Sequence, residues 1–447
     1  MAKKSAAQYI CSNCAATFTR WEGKCSNCGA WNTLEQQVSG TGSVVTSGKV
    51  LEATLVGDKN AFHEKPRIQT TMRDVDAVLG GGFVPGSVIL ITGQPGIGKS
   101  TLLQQIAHLV AKQNDVLYVS GEESAQQVFL RSQRLGASAK DSLFIANSNS
   151  ADDIIASMQK TQYSLVIVDS IQTIQTSNVP TSPGSPTQIM QSTHVLMAAA
   201  KQTNTAIILV GHVTKDGDMA GPKLLEHLVD VVLTLEGDRY GGFKLLRSVK
   251  NRFGSTNESG IFETTETGLK EVVNPSAALL AERQVSDGSV VLATMEGSRP
   301  LLVEVQALVT TTSFGYPKRA SSGYDLNRLS LLIAMISRRT KLDLSQSDVF
   351  INIVGGLRIS EPAADLAVCL SIASAAKGIQ LNEDLVVFGE VGLSGEVRHV
   401  PFMEARMREI KKLGFKGAIG PTHTPKVAGL HSVKNIQEAV AVALKST

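Results

Sequence analysis

Apolar residues along this chain gather in short uninterrupted runs in its middle part and in sparser, alternating or helical patterns towards its end. Five runs, Val88–Thr92, Val116–Ser120, Leu165–Asp169, Ala206–Val210 and Val229–Leu235, are apolar almost throughout and rich in β-branched residues. Segments with apolar residues at helical spacing separate them. A strand without a polar face must be covered on both sides, so the region Arg67–Leu269 predicts a parallel sheet between two layers of helices. After Val273-Asn274-Pro275 the pattern changes. Strand-like segments Ser289–Glu296 and Leu301–Val309 come first, then a helix Leu326–Arg338 with Leu329, Leu332, Ile333 and Ile336 on one face. A strand Val349–Val354, a small-residue helix Ala363–Ala376, a strand Leu385–Gly389 and a helix Phe402–Leu413 complete an α+β domain. The stretch Ser39–Val50, rich in Gly, Ser, Thr and Val, has little to bury and reads as linker. The expected organisation is a small module at 1–35, a linker at 36–65, an α/β domain at 66–273 and an α+β domain at 274–447. No internal repeat is visible.

Composition narrows the function classes. At 447 residues the chain exceeds one ordinary core, and 43% hydrophobic content is that of a globular protein. With 43 Lys and Arg against 40 Asp and Glu, any grip on nucleic acid has to come from local clusters and not from a general cationic field. Met1–Ile10 has no apolar segment of secretory type, and no run approaches the roughly 18–20 residues that span a bilayer, so the expected setting is cytoplasmic, with no membrane partner. Of five cysteines, Cys369 lies on an apolar helix face with Leu366 and Leu370 and reads as core. The other four form two Cys-Ser-Asn-Cys knuckles, Cys11–Cys14 and Cys25–Cys28. Four thiolates at that spacing close a tetrahedral shell around one structural Zn²⁺. Phe18, Trp21 and Trp31 have nothing else in so small a segment to bury them. Arg20 and Lys24 either offset the anionic tetrathiolate or touch phosphate.

The strand Val88–Thr92 runs into Gly93-Gln94-Pro95-Gly96-Ile97-Gly98-Lys99-Ser100-Thr101, which opens a helix carrying Leu102, Leu103, Ile106 and Leu109. This is the Gly-x4-Gly-Lys-Ser loop in its strand–loop–helix setting. Its backbone N–H groups wrap phosphates, the helix N-terminus adds its positive dipole end, Lys99 reaches the β and γ oxygens, and Ser100 ligates Mg²⁺. Asp169 ends an apolar strand as a second magnesium-side carboxylate, or else as a turn residue. After the strand Val116–Ser120, Glu122 is the first choice to orient the attacking water and Glu123 the second; either can instead cap the helix that follows.

Taken in order, the knuckles, the Gly93–Thr101 loop, Tyr118-Val-Ser-Gly-Glu-Glu-Ser124, Asp169-Ser-Ile-Gln172 and above all Lys250-Asn-Arg-Phe-Gly254 resemble the RadA (Sms) family of bacterial recombination and repair proteins over nearly the whole chain. The resemblance implies an α/β RecA-like P-loop ATPase core with an N-terminal four-Cys zinc ribbon or knuckle and a C-terminal α+β Lon-protease-like domain. It implies ATP as the nucleotide, which the loop itself does not distinguish from GTP. It also implies a DNA-dependent ATPase and branch-migration helicase, built as a homo-hexameric ring around single-stranded DNA with ATP sites between subunits. Branched recombination intermediates are its substrates and RecA its partner. Glu122 takes the place of the RecA-type catalytic glutamate and His212 that of the γ-phosphate sensor. Lys250 and Arg252 are the cations reaching a neighbour's γ-phosphate, or else a basic loop on DNA or in solvent. Thr173–Thr187 and Thr214–Lys223 match the DNA-binding loops.

The similarity of the last domain to Lon-type proteases places Ala363 (in Ser360-Glu-Pro-Ala-Ala364) at the nucleophile and Glu404 (after Gly395–Pro401) at the activating lysine. Neither residue supports that chemistry, so no protease is expected. Arg319, Arg328, Arg338, Arg339, Lys341 and Arg358 are candidate DNA contacts on this scaffold. A different class of function, an ATP-switched DNA-binding or RecA-loading scaffold without motor activity, fits the same residues.

Overall fold

The structure is a computed structural model. It describes residues 8–11, 16–31, 33–37, 66–138, 140–212, 224–237, 243–313, 315–422 and 426–444. The chain divides into two compact units, Met1–Glu64 and Lys65–Thr447.

In the first unit, β1 (Gln8–Cys11) pairs antiparallel with β2 (Thr17–Phe18) and β3 (Leu34–Gln37). Its interior is Cys11, Cys25 and Leu34, with Tyr9 and Phe18 against them. So few apolar side chains cannot hold a fold by themselves. Phe18 packs as expected, but Trp21 and Trp31 do not: they are 55% and 70% exposed, with the Lys24 ammonium 5.4 Å from the centre of the Trp31 ring.

The second unit contains a nine-stranded sheet ordered β12-β11-β10-β9-β4-β8-β7-β5-β6. Its strands are β4 (Val88–Thr92), β5 (Val116–Ser120), β6 (Leu143–Asn147), β7 (Leu165–Asp169), β8 (Ala206–Val210), β9 (Val231–Gly237), β10 (Phe243–Asn251), β11 (Ser259–Thr265) and β12 (Gly268–Glu271). Helices α1 (Arg73–Leu79), α2 (Lys99–Ala111), α3 (Ala125–Arg134), α4 (Ala151–Lys160) and α5 (Pro186–Thr203) accompany them. From β6 to β9 the pairing is parallel. Alternate residues of one strand enter different cores: Ile89 and Ile91 join Tyr118 and the α2 side chains, whereas Val88 and Leu90 join Val119 and the α4 and α5 side chains. That is why these strands read as uniformly apolar.

Two departures from the expected sheet appear. The fifth run is displaced, β9 starting at Val231 because Val229 and Asp230 belong to the preceding turn, where the Asp230 carboxylate accepts the Val88 N–H. The sheet also continues past β9 in an antiparallel meander, β9-β10-β11-β12. Among the described residues no helices intervene there to announce the strands, and polar residues interrupt them, as in Phe243-Lys-Leu-Leu-Arg247.

The C-terminal part has a seven-stranded sheet, β15-β16-β14-β13-β17-β20-β21. Its strands are β13 (Ser289–Glu296), β14 (Arg299–Thr311), β15 (Arg319–Ser322), β16 (Ser347–Ile353), β17 (Leu385–Val387), β20 (Gly417–Pro421) and β21 (Leu430–Val433), and β18 (Glu390–Val391) pairs separately with β19 (Val397–Arg398). Helices α6 (Pro275–Leu280), α7 (Leu326–Arg339), α8 (Asp365–Lys377), α9 (Met403–Lys412) and α10 (Ile436–Ala443) cover it. Cys369 is buried in α8, as the apolar helix face predicts.

The turn of the β13–β14 hairpin meets the part built on the nine-stranded sheet. Arg247 of β10 pairs with Glu296, Arg299 pairs with Asp74 of α1, and the Ser298 N–H donates to the Asn257 carbonyl at 2.5 Å. Gly297 sits at φ 62°, and a Cβ there would overlap the Asn257 carbonyl oxygen, so no side chain fits.

At the protease-like positions, Ala363 is buried in a 3₁₀ turn and Glu404 lies in the first turn of α9. Two residues on, Arg406 is fully buried, donating to the Ala293 carbonyl at 2.6 Å and pairing with Glu361. Glu361 also accepts from Thr294 Oγ1 and the Met295 N–H, both at 2.8 Å. Glu361→Ala leaves a guanidinium buried without its counter-charge and is expected to destabilise the protein by about 3–5 kcal/mol. Urea unfolding followed by circular dichroism checks this.

Candidate nucleotide and metal sites

Parallel pairing brings the ends of β4, β5, β7 and β8 to one edge of the sheet. The loop leaving β4 turns through Gly93, Gly96 and Gly98, all at positive φ. A Cβ on Gly93 would meet the Leu235 carbonyl at 2.5 Å, and on Gly96 it would meet nothing within 4 Å. Gln94 and Pro95 are exposed, whereas the Ile97 side chain anchors the loop in the core beneath. Gly98 supplies no side-chain cap to α2, so the N–H groups of its first turn, at Lys99, Ser100 and Thr101, face outward for an anion.

The Lys99 ammonium folds back and donates to the Gly93 carbonyl at 2.8 Å and the Gln94 carbonyl at 3.1 Å. Burial lowers its pKa to about 8, against the opposing pull of Asp169 and Glu122. Asp169, at the end of β7, is 8% exposed and accepts the Tyr118 hydroxyl at 2.6 Å on Oδ2. The Asp169–Ser170 peptide is cis. Burial, then Asp169, raise the Tyr118 pKa well above the usual phenol value, which keeps the hydroxyl a donor.

The two glutamates after β5 separate. Glu122 accepts the Ser170 hydroxyl, and His212 Nε2 lies 3.6 Å from the same oxygen. Burial, then Lys99, lower the His212 pKa, so the ring is neutral near pH 7. Glu123 turns the other way, pairing with Arg131 of α3. Neither caps α3: Ser124 does, in a reciprocal capping box with Gln127. Tyr118 and Ser170 lie inside the sequence motifs without standing out in them. The signal for Tyr118 is a lone phenol among the valines and leucine of its strand, since a buried hydroxyl requires a partner.

Lys250 and Arg252 are not brought to this cluster. Lys250 Nζ donates to the Glu226 carbonyl at 2.7 Å and the His227 carbonyl at 3.2 Å, and Arg252 pairs with Asp230 at 3.1 Å. Of the two expected DNA loops, Thr173–Thr187 is anchored by Asp152 through Thr176 and Ser177, exposes much of 180–184, and already enters α5 at Pro186. Thr214–Lys223 lies outside the described residues. Among the proposed basic contacts, Arg328 is committed to Asp365 and Arg319 to the Leu344 and Ser347 carbonyls, so these two serve the fold. Arg338, Arg339, Lys341 and Arg358 keep side chains at the surface.

In the first unit the Sγ atoms of Cys11, Cys25 and Cys28 lie within 4.8 Å of one another, those of Cys11 and Cys28 at 3.7 Å. Cys14 lies outside the described residues. The Cys11 N–H donates to the Ala16 carbonyl and the Cys25 N–H to the Ala30 carbonyl, and both cysteines are buried. Three converging thiols, two of them buried, fit a zinc ion.

Residues 9–36 match the family described as the rubredoxin metal binding domain, residues 64–218 the AAA domain, and residues 330–424 subunit ChlI of Mg-chelatase. The chain is 45% identical to the DNA repair protein RadA of Halalkalibacterium halodurans, over 99% of this chain and 100% of that protein. It is 48% identical to RadA of Pseudomonas aeruginosa over 95% of each chain, and 43% identical to RadA of Escherichia coli over 99% of each. The chain belongs to the RadA family of DNA repair proteins. The solved RadB recombinase aligns with 46% of the chain and 99% of its own, at TM-score 0.37 and 23% identity, too distant to add to that assignment. The AAA match gives ATP and Mg²⁺ as cofactors, and the rubredoxin-type match together with the converging cysteines gives Zn²⁺. Among the described residues no helix is long and apolar enough to cross a membrane.

Two outcomes are expected. Cys28→Ser should lose bound zinc, measured by metal analysis of the purified protein, and with it the order of the small sheet. Lys99 loses its proton as the pH rises through about 8, so ATP binding near pH 9 has to recharge it and should take up a proton. Calorimetry in buffers of different ionisation enthalpy measures that uptake, and Lys99→Arg should abolish it.

Proposed function

We propose that this chain is a DNA-dependent ATPase whose subunits form a six-membered ring on single-stranded DNA and drive branch migration of recombination intermediates, working with a RecA recombinase. The observation that supports this most is the meeting of Lys99, Asp169 and Glu122 at one sheet edge, in a chain aligned with RadA proteins along nearly its full length.

In this reading the loop N–H groups and Lys99 bind the phosphates. Ser100 and Asp169 would hold Mg²⁺, which would supply positive charge against the phosphates. Glu122, with its carboxylate fixed by Ser170, orients the attacking water. His212 senses the γ-phosphate from beside Glu122. Lys250 and Arg252 act on a neighbouring subunit, exchanging their bonds to Glu226, His227 and Asp230 for that subunit's phosphate. The uncharged turn at 180–184 suits DNA contact through N–H groups and hydroxyls. The C-terminal domain is a scaffold and not a protease, its dyad positions being alanine and glutamate.

Displacement of a labelled strand from a three-stranded DNA joint tests the reading. Glu122→Gln is expected to keep ATP binding, to lose roughly 10²–10⁴-fold in hydrolysis, and to extend no joint. Lys250→Ala should bind DNA but fail likewise, by roughly 10³-fold or more in rate. Extension supported equally by a non-hydrolysable analogue, or by Glu122→Gln, would overturn the motor and favour an ATP-switched scaffold.

A further inference from the structure

Tyr118 is the one aromatic residue of β5 and is 1% exposed. Its ring belongs to the core between the sheet and α2, a place that phenylalanine would fill as well. What the hydroxyl adds is a bond to Asp169, with the Gln104 side chain beside it as a second polar neighbour. The hydroxyl donates to Asp169 Oδ2 at 2.6 Å, on the neighbouring parallel strand two residues beyond its register partner Ile167. Asp169 Oδ1 has no hydrogen-bond partner among the described residues. An aspartate at the end of a strand has a free χ1 and a nearly symmetric carboxylate, and Lys99 lies close enough to compete for it electrostatically. The phenol restricts that freedom: with Oδ2 taken by the Tyr118 hydroxyl, Oδ1 is the oxygen left for a ligand, on a carboxylate that Lys99 of the phosphate loop already feels electrostatically.

We propose that Tyr118 is a positioning residue for the magnesium ion, acting through Asp169 by fixing which carboxylate oxygen is presented to the metal. The inference rests on the reading of Asp169 as a magnesium ligand. Groups that orient metal ligands in this way typically contribute about 10–100-fold in metal affinity.

Full-length Tyr118→Phe, Asp169→Asn and the double variant are compared with the unaltered protein in three measurements. These are Mg²⁺ titration of ATP hydrolysis, Mg²⁺ dependence of binding of a fluorescent non-hydrolysable ATP analogue, and thermal unfolding. For Tyr118→Phe the half-saturating Mg²⁺ concentration should rise by about tenfold in both titrations. Excess Mg²⁺ should restore most of the hydrolysis, with Tm nearly unchanged. The double variant should be no worse than Asp169→Asn, because the phenol then has no carboxylate to orient. A Mg²⁺ requirement close to that of the unaltered protein, a loss that excess Mg²⁺ does not restore, equal effects of the phenol in both backgrounds, or a Tyr118→Phe chain that fails to fold would each overturn the proposal. If Asp169→Asn leaves the Mg²⁺ requirement unmoved, the reading of Asp169 itself fails. If it shifts while Tyr118→Phe does not, only the role of Tyr118 falls.

Discussion

The chemistry at the phosphate loop depends on the register of four parallel strands. Ser120 lies beside Asp169, Val168 beside Leu209, and Ile91 beside Val210. With the strands in step and pointing the same way, whatever follows their last residues must emerge at one edge. The loop after β4, the glutamates after β5, Asp169 at the end of β7 and His212 just past β8 therefore meet, although more than a hundred residues separate the first from the last. Burial of both sheet faces holds the register, because a one-residue slip would exchange the side chains of two different cores.

This convergence explains the balance of charge at the site. Lys99 is buried beside two carboxylates that only partly offset its desolvation, and its ammonium meanwhile donates to two loop carbonyls. A phosphate is a better partner than either carbonyl, so the loop is held in a conformation whose bonds a nucleotide can displace without moving the sheet.

The sequence conveyed the parallel strands and the loop well, because uniform hydrophobicity and the glycine spacing each have one dominant physical cause. It conveyed the β10–β12 meander poorly, since Lys244 and Arg247 interrupt the apolar pattern and no helix marks the crossings. Distinguishing Glu122 from Glu123 required side-chain directions: adjacent residues leaving a strand diverge, and only the structure tells which one meets Ser170 and which meets Arg131. The tryptophans of the small module misled for the opposite reason. Their size suggests burial, but a sheet of this kind has no interior large enough to take them.

The hairpin turn at Gly297 has a wider consequence for how the two sheets are held. Backbone there bonds directly to backbone of the nucleotide-binding part, and ion pairs flank it on both sides. That clasp joins the two sheets within the one compact unit Lys65–Thr447. A side chain at 297 would push this backbone contact apart, so the joint between the two sheets depends on the one residue type that carries no Cβ.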